Sequence, residues 1–469
     1  MRDVQYGHSF LRYIMAHGSD ILALAAKLLM EYEKHPVKAD EFIESKYTFF
    51  PKYGEERRVC QFIFSTVLRN KLIIESILAG LLPKPPRPGA RSLLKCAAAE
   101  IIASAPEKRP QVVHAWVGAC KRGFSEGEAR MANAVLRRFA QAYDAAAASA
   151  SSLKDFALLY SHPLWLAKSW ADTYGEEKAV EIMRSNSKTP EIWFRIPQNP
   201  DARTDFAPFS RHFEESAYPG FFRLKPGRFG DAAPLLETPS AYVQDPATRM
   251  APEILAPKPG ERILDLCAAP GGKSRTIADM LRDSGADLSS TLLVSADMPG
   301  RRLERLRENL SKISFMRAEC AGCDLLAPDL AGTLAALGLP AEFDAILLDA
   351  PCSNTGVLRR RPDARYRLSE RDIPACAQIQ EEMLKNALPL LAPGGRLAYS
   401  TCSIEPLENK TAPRRAIAAL EGFEIESEHT ILPGETDGAG IALIRRQRSV
   451  GSKMLPHLDT TCAPESGRL

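Results

Sequence analysis

Two short segments of the chain carry side chains that are suited to covalent chemistry. Asp349 and Cys352 follow the apolar run Ile346 to Leu348, and Cys402 follows a second run that ends at Ser400. Two thiols at neighbouring strand ends, beside an acid, are what covalent catalysis on an electron-poor ring requires. A single cysteine is more often a small core residue, but two in such positions favour a catalytic site.

A third segment has the composition of a ligand-binding loop. It follows the strand pattern of Ile263 to Leu266 and precedes a helical pattern, so its small residues and two glycines let the backbone approach a nucleotide-like ligand at a helix N-terminus. The predicted site residues are Cys267, Ala268, Ala269, Pro270, Gly271, Gly272 and Lys273. The absence of G-x-G-x-x-G disfavours a dinucleotide oxidoreductase, and Pro270 breaks the P-loop spacing. Asp297 ends the next strand pattern, where an acid can bond ribose hydroxyls.

The elements that position these segments alternate between strand and helix patterns from about residue 250 onward. Strand patterns cover 262–266, 292–296, 345–348 and 396–400, and helical patterns cover 273–281, 301–310 and 379–390. Such alternation predicts a mostly parallel, doubly wound sheet with ligands at the carboxyl ends of its strands. We therefore expect a Rossmann-like catalytic domain over residues 241–447.

The first part of the chain follows a different pattern, in which apolar residues recur at helical spacing from about residue 7 to residue 143. Ser125 and Glu128 have the S-x-x-E spacing of a capping box, and Pro110 and Gly123 suit the two ends of the preceding helix. The pattern contains no strand-like alternation. It predicts an all-α domain of roughly six helices over residues 1–144.

Charge is distributed unevenly along the 469 residues, although 61 basic and 58 acidic side chains nearly cancel. Residues 1–150 contain 22 basic and 15 acidic residues, a net charge of +7, and the remainder has a net charge of −4. Basic side chains near the last predicted helix, Arg137 and Arg138 among them, suit nucleic-acid phosphates. A solvated helix face explains them equally well.

The remaining segments indicate where the connecting region and the tail lie, and in which cellular compartment the protein is expected. We expect residues 145–240 to form a linker and a small connecting subdomain, and the Ala/Ser run at the start of this region is interpreted as a linker or as the frayed end of a helix. Residues 448–469 are expected to be a disordered tail. The ten cysteines are scattered, which suits free thiols in a reducing compartment, and Cys320 and Cys323 lack a second pair at zinc spacing, so no metal site is expected. The sequence has neither a secretory pattern nor an apolar stretch long enough to span a membrane, so we expect a cytoplasmic protein with no membrane partner. We also expect a monomer.

Three motifs together resemble the signature of the RNA cytosine-C5 methyltransferases, the Sun or NOP2 group. They are LDLCAAPGGK at 264–273, DAPCS at 349–353 and STCS at 400–403. The helical segment, especially 108–139, is similar to the NusB-like RNA-binding domain of the bacterial 16S ribosomal RNA enzymes of this group. The resemblance covers roughly residues 1–446. It implies a multidomain chain, with an all-α NusB-like domain before an α/β Rossmann-like S-adenosylmethionine-dependent methyltransferase domain.

The same resemblance implies a mechanism and a set of ligand contacts. Cys402 is the implied nucleophile at carbon 6 of the cytosine, Asp349 bonds the nitrogen edge of the ring, and Cys352 serves the release step. Contacts with S-adenosylmethionine are implied for the glycine-containing loop, Asp297, Asp349 and, on the adenine side, Asp324. Apart from the resemblance, six arginines that follow Cys352 are expected from their position to hold RNA phosphates, and a solvated charged loop is the alternative: Arg359, Arg360, Arg361, Arg365, Arg367 and Arg371.

Other functions remain open at this point. Ribosomal RNA, in particular 16S ribosomal RNA, is the expected substrate, and transfer RNA is the nearest alternative. A non-catalytic RNA-binding assembly factor is a second class, although the complete set of Asp349, Cys352 and Cys402 argues against it. An amino-methyltransferase is a third, but the Asp-Ala-Pro-Cys sequence at 349–352 supplies a thiol in place of the aromatic loop that holds an exocyclic nitrogen.

Overall fold

A computed structural model of the protein describes residues 21–46 and 54–448. Most of the segment 448–469, for which the sequence predicts a disordered tail, lies outside these described residues. So does the start of the helical pattern near residue 7.

The described N-terminal residues form a bundle of helices around one apolar core. The helices are α1 (residues 21–34), α2 (Ala39–Lys46), α3 (Glu55–Arg69), α4 (Lys71–Leu81), α5 (Pro88–Ala103), α6 (Arg109–Gly123) and α7 (Glu126–Ser149). Trp116 and Phe139 are fully buried in this core. Ser125 and Glu128 form the predicted capping box at the start of α7. The part that the structure describes thus has seven helices where roughly six are expected.

Three further helices and a small sheet connect this bundle to the catalytic domain. The helices are α8 (Leu153–Leu159), α9 (Leu164–Tyr174) and α10 (Glu176–Asn186). An antiparallel sheet follows in the order β2-β3-β1-β4, formed by β1 (Trp193–Arg195), β2 (Phe213–Glu215), β3 (Phe221–Leu224) and β4 (Tyr242–Val243), with α11 (Pro200–Phe206) and α12 (Phe229–Ala232) between strands. Trp193 and Phe194 are buried. The Ala/Ser run forms the last turns of α7 through Ser149, which agrees with the second of its two interpretations, the end of a helix.

A seven-stranded sheet forms the centre of the C-terminal domain. Its strands are β5 (Arg262–Leu266), β6 (Leu292–Asp297), β7 (Arg317–Gly322), β8 (Phe343–Asp349), β9 (Leu391–Thr401), β10 (Phe423–Ile431) and β11 (Ala439–Arg446), in the order β10-β11-β9-β8-β5-β6-β7. The five strands from β9 to β7 in this order are parallel, whereas β11 and β10 are antiparallel to their neighbours. The sequence therefore predicts the central strands correctly and omits β7, β10 and β11.

Helices cover both faces of this sheet and bury its apolar side chains in two layers. The helices are α13 (Met250–Leu255), α14 (Gly272–Asp283), α15 (Arg301–Leu310), α16 (Leu330–Ala336), α17 (Ala364–Arg367), α18 (Asp372–Ala387) and α19 (Ala412–Ala418). Residues of α13, α14 and α15 belong to one layer, and residues of α16, α18 and α19 belong to the other. Because both faces are covered, ligands reach the sheet at its strand ends.

Candidate active site

The two predicted thiols meet at the ends of neighbouring parallel strands. β8 pairs with β9 so that Asp349 lies opposite Ser400, and each strand then continues into the loop that carries its cysteine. The sulfur of Cys352 lies 3.0 Å from the sulfur of Cys402. The pair is therefore within hydrogen-bond distance, which allows one thiol to exchange a proton with the other.

An ion pair joins the glycine-containing loop to the end of β8. The Nζ atom of Lys273 lies 2.6 Å from Oδ2 of Asp349. Burial lowers the pKa of Lys273, but the carboxylate of Asp349 outweighs this effect, and the charge of Cys402 adds to it, so the net pKa is raised. Lys273 therefore remains an ammonium group, and it supplies a fixed positive charge beside the thiols.

The environment of Cys352 keeps this thiol protonated. Its hydrogen bond with Cys402, followed by burial, raises the pKa of Cys352 well above its ordinary value. Cys352 therefore holds its proton beside Cys402, whose sulfur lies 3.0 Å away.

Asn354 and Gly356, which both follow Cys352, connect its loop to the loop of Cys402. Asn354 adopts a left-handed conformation with φ of 63°, which asparagine tolerates better than most residues, and its Oδ1 lies 3.4 Å from the sulfur of Cys402. The backbone N–H of Gly356 donates to the carbonyl of Cys402 at 3.0 Å. A Cβ atom at position 356 would lie 2.5 Å from the carbonyl oxygen of Gly438, so only glycine fits here.

The segment 267–271 forms a compact turn between β5 and α14. Cys267 and Gly271 have φ values of 58° and 105°, and the Ala269–Pro270 peptide is cis. Gly271 is the residue that precedes the first turn of α14 and offers no side chain to cap it. The N–H groups of that first turn are therefore available to an anionic ligand group.

Acidic side chains follow β6 and β7 at the same edge of the sheet. Oδ2 of Asp297 accepts the N–H of Ala269 at 2.9 Å and pairs with Arg302 at 3.1 Å. Met298, the next residue, has 57% of its surface exposed. Asp324 follows β7 and is exposed, with Oδ1 accepting the N–H of Leu326 at 2.9 Å. The two predicted acids thus lie beyond adjacent strand ends, next to the compact turn.

Asp265 supports a cofactor at this edge. Its Oδ2 accepts the hydroxyl of Ser274 at 2.5 Å, but among the described residues its buried Oδ1 has no hydrogen-bond partner. The pKa of Asp265 is raised to about 7 in total, because burial raises it more than the Ser274 hydrogen bond lowers it, and the charge of Asp349 adds to the rise. Buried polar atoms are rarely left without a partner, so a donor from a bound molecule fits this position. The free helix start, the acid at Asp297 and this oxygen together suit an amino acid and nucleoside such as S-adenosylmethionine.

The structure corrects the expectation that the arginines after Cys352 bind phosphates as a group. Only 3% of Arg359 is exposed, and its Nε donates to Asp437 at 2.9 Å. Arg360 pairs with Asp437 and with Asp245, and Arg365 is fully buried. Arg359 and Arg365 therefore stabilise the fold, because their charges are enclosed and have protein partners.

Arg361 differs from its neighbours because 51% of its side chain is exposed. Its Nη1 donates to Oδ1 of Asn354 at 3.2 Å, and the same oxygen contacts Cys402. This arginine is the one of its cluster that borders the thiols and still faces solvent. Arg137 and Arg138 lie exposed on α7, in the helical domain.

Sequence reasoning omitted several residues that shape the site. Asp245 and Asp437 hold the buried arginines, Asn354 contacts Cys402, and Glu408 lies beneath both thiol loops. One signal was present for Asn354, because asparagine tolerates the left-handed conformation and is common in turns. The carboxylates gave none, because acids far apart in the sequence meet only through the fold.

The fold and the site define a class of protein. A mostly parallel sheet with a nucleoside-type ligand edge, combined with two thiols beside an Asp-Lys pair, is the arrangement of an S-adenosylmethionine-dependent methyltransferase that uses cysteine. Comparison with known families narrows this class. Residues 252–459 match the model described as 16S rRNA methyltransferase RsmB/F, and residues 20–141 match the NusB family.

Curated relatives agree with these matches. Ribosomal RNA small subunit methyltransferase B of Klebsiella pneumoniae strain 342 is 33% identical over 331 residues, which cover 67% of this chain and 72% of the relative. The protein of the same name from Proteus mirabilis is 32% identical over 295 residues, covering 61% and 66%. The aligned part thus spans about two thirds of the length of these relatives.

Solved structures share the fold. The crystal structure of PH0851 has a TM-score of 0.67 at 22% identity, covering 91% of this chain and 98% of that one. A methyltransferase homologue from Pyrococcus horikoshii has a TM-score of 0.52 at 26% identity, covering 63% and 99%.

The chain belongs to the 16S rRNA methyltransferase RsmB/F family. The expected combination of a NusB-like helical domain with a Rossmann-like methyltransferase domain is confirmed, and so are the expected family and its cofactor, S-adenosylmethionine. Across residues 21–46 and 54–448, no helix combines the length and the apolar character needed to cross a bilayer.

Proposed function

We propose that the protein methylates carbon 5 of a cytosine in 16S ribosomal RNA through a covalent adduct with Cys402. The contact that carries this proposal is the 3.0 Å distance between the sulfurs of Cys352 and Cys402. Methylation of an exocyclic nitrogen has no use for two thiols, whereas carbon 5 of cytosine becomes nucleophilic only after a thiolate adds to carbon 6.

The side chains of this site have distinct roles in the proposed reaction. Cys402 forms a bond from its sulfur to carbon 6, while the carboxylate of Asp349 accepts a hydrogen bond from the amino edge of the base. Lys273 forms an ion pair with Asp349 and places a positive charge near the attacking thiolate. S-adenosylmethionine supplies the methyl group, activated on a sulfonium. In the release step Cys352 passes its proton to the departing sulfur of Cys402 and accepts the proton of carbon 5, so it ends as a thiol again. The electron pair of the broken C–H bond forms the double bond between carbons 5 and 6, and the bond from carbon 6 to the sulfur of Cys402 breaks.

The edge formed by β5, β6 and β7 would hold the cofactor. The N–H groups at the start of α14 would bind the carboxylate of the methionine part, and Asp297 would accept the ribose hydroxyls. Asp324 would contact the adenine. The buried Oδ1 of Asp265, which has no hydrogen-bond partner among the described residues, would accept from the amino group.

RNA contacts are proposed at two places. Arg361 lies at the mouth of the thiol site, where it can bind a phosphate next to a flipped cytosine, because the base must leave any helix to reach Cys402. Arg360, partly exposed, borders the same loop. Arg137 and Arg138 on α7 give the helical domain a basic face for the RNA backbone. The protein acts as a monomer in the cytoplasm, where its cysteines stay reduced.

Bisulfite sequencing tests this function directly, because 5-methylcytosine resists the deamination that converts cytosine. Ribosomal and transfer RNA from cells with and without the gene are compared. We expect one cytosine of 16S ribosomal RNA to lose its protection when the gene is deleted, and a plasmid copy to restore it. Loss confined to a transfer RNA, or no loss at all, contradicts the proposed substrate.

A further inference from the structure

A single buried carboxylate contacts the residue that follows each of the two thiols. Ser353 follows Cys352, and Ser403 follows Cys402. The hydroxyls of both serines donate to Oε1 of Glu408, that of Ser403 at 2.6 Å. Glu408 itself is fully buried. The two thiol loops, which are 50 residues apart in sequence, therefore share one anchor.

The second oxygen of Glu408 strengthens the contact with the first loop. Oε2 accepts the backbone N–H of Ser353 at 3.1 Å and Nε2 of Gln380 at 2.8 Å. The same Nε2 donates to the carbonyl of Pro351 at 2.9 Å, so the residues on both sides of Cys352 are fixed. With four donors around it, the carboxylate has its hydrogen-bonding capacity filled.

The residue next to Glu408 fixes the other loop. Oδ1 of Asn409 accepts the hydroxyl of Thr401 at 2.6 Å, and its Nδ2 donates to the carbonyl of Ser403 at 2.8 Å. These two residues flank Cys402. Glu408 and Asn409 project from one turn of π-helix, Leu407–Thr411, a conformation that is rare and frequent at functional sites.

We infer that Glu408 is a positioning residue that sets the separation of the Cys352 and Cys402 thiols by holding Ser353 and Ser403 on one carboxylate. This inference rests on the proposed roles of the two cysteines in attack and release. Glu408 bonds to the loops that carry the thiols, so it acts through geometry. Attack and release by different thiols need both sulfurs near carbon 6 and carbon 5, and a shift of about 1 Å costs on the order of 100-fold in rate.

The two serine contacts of Glu408 can be removed one at a time, and we expect each removal to slow a different chemical step, attack or release. Removing the hydroxyl of Ser403 releases the Cys402 loop from Glu408, so Ser403→Ala slows formation of the RNA adduct. Removing the hydroxyl of Ser353 loosens the Cys352 loop, which keeps only its N–H bond to Glu408. Ser353→Ala therefore slows release, and adduct accumulates during turnover.

Kinetics of the full-length protein test the role of Glu408. The probes are an unmodified 16S ribosomal RNA transcript and radiolabelled S-adenosylmethionine. For Glu408→Ala we expect kcat to fall about 100-fold while both KM values stay within about threefold, because the carboxylate positions reacting groups and binds neither substrate. Glu408→Gln retains an acceptor for the Ser353 N–H, and its amide can donate to both hydroxyls, so its kcat stays within about tenfold of wild type.

A matched control removes another carboxylate of the same domain. Oε2 of Glu261 accepts the N–H of Lys258 at 2.8 Å and pairs with Arg396 at 2.9 Å, at the opposite end of the sheet. Glu261→Ala lowers the unfolding temperature and leaves kcat near wild type. Equal loss of kcat in Glu261→Ala and Glu408→Ala overturns the inference, as does a Glu408→Gln protein as slow as Glu408→Ala.

Thiol proximity gives a readout that needs no catalysis. Diamide, a diazo oxidant, takes two electrons and two protons from a thiol pair, and mass spectrometry of the digest measures the disulfide formed between Cys352 and Cys402. We expect this bond to form about tenfold more slowly in Glu408→Ala and at the wild-type rate in Glu261→Ala. If the disulfide forms in Glu408→Ala at the wild-type rate, the positioning role is refuted, and this holds even if Cys402→Ala is inactive and the proposed function stands. An active Cys402→Ala protein refutes the proposed function instead. If Glu408→Ala does not fold, Ser403→Ala and Glu408→Gln carry the same comparison.

Discussion

The ammonium nitrogen of Lys273 lies 2.6 Å from the carboxylate of Asp349, and this contact joins the cofactor loop to the thiol site. Lys273 is the second residue of α14, directly after the compact turn that follows β5, whereas Asp349 ends β8. The raised pKa of Lys273 keeps this side chain charged at neutral pH. The position of the cofactor loop and the charge beside the reacting base are therefore set by one ion pair.

Replacing Lys273 tests the importance of this charge. Lys273→Met keeps the length of the side chain and removes the cation, so the Cys402 thiolate loses a positive charge that interacts with it. We expect kcat to fall on the order of 100-fold at pH 7 and the acid limb of the pH–rate profile to move to higher pH. Lys258→Met, at an exposed lysine of the same domain, should keep the wild-type profile. An unchanged acid limb in Lys273→Met contradicts the assigned role.

The two cysteine variants should fail at different steps. Cys402→Ala removes the nucleophile, so we expect neither methyl transfer nor adduct. Cys352→Ala leaves attack and methyl transfer possible but slows release, so a covalent complex with RNA accumulates and appears as a shifted band on a denaturing gel. The double variant should show no band. Near wild-type methylation by Cys402→Ala would falsify the assignment of the nucleophile.

The sequence predicts the parallel centre of the fold and the members of the thiol site for a clear physical reason. Short apolar strands next to helices have a strong pattern, and motifs that follow strands β5, β8 and β9 must meet at one edge. Strand β7 was missed because its sequence, RAECAG, is half-exposed and lacks an apolar run. Strand β10 alternates acidic and other residues at an open edge, which resembles a loop.

The arginines that follow Cys352 show that composition cannot predict which charged side chains are buried. Arg359 to Arg361 are adjacent in sequence, yet they range from buried to half exposed. Their partners, Asp245 and Asp437, come from segments about 80 to 115 residues away, so nothing local distinguishes a buried arginine from a solvent-facing one. Glu408 was missed for a related reason, because its partners lie in two separate loops.

A buried acid in the helical domain should make its stability depend on pH. Glu100 accepts the indole N–H of Trp116 at 2.6 Å, and burial raises its pKa from 4.5 to about 7. The folded state therefore holds a proton that the unfolded state has lost between these values, and the free energy of unfolding falls as pH rises from about 4.5 to 7. Glu100→Gln cannot ionise and should lack this decline. Thermal unfolding followed by tryptophan fluorescence at several pH values measures the difference, and parallel curves for the two proteins would contradict the assignment.

Arg359 and Arg361, two arginines of the loop that follows Cys352, should have different effects when each is replaced by alanine. Arg359→Ala leaves Asp437 and Asp245 buried without their full complement of charge, so we expect a loss of roughly 3 to 5 kcal/mol in the free energy of unfolding. Arg361→Ala removes an exposed group, so stability stays near wild type while RNA affinity falls about three- to tenfold and the dependence of log affinity on log salt becomes shallower by about 1. Denaturant unfolding and filter binding at several salt concentrations measure both quantities for each variant. If Arg361→Ala binds RNA with an unchanged salt slope, the exposed arginine at the thiol site does not contact phosphate, and RNA must reach Cys402 by another face.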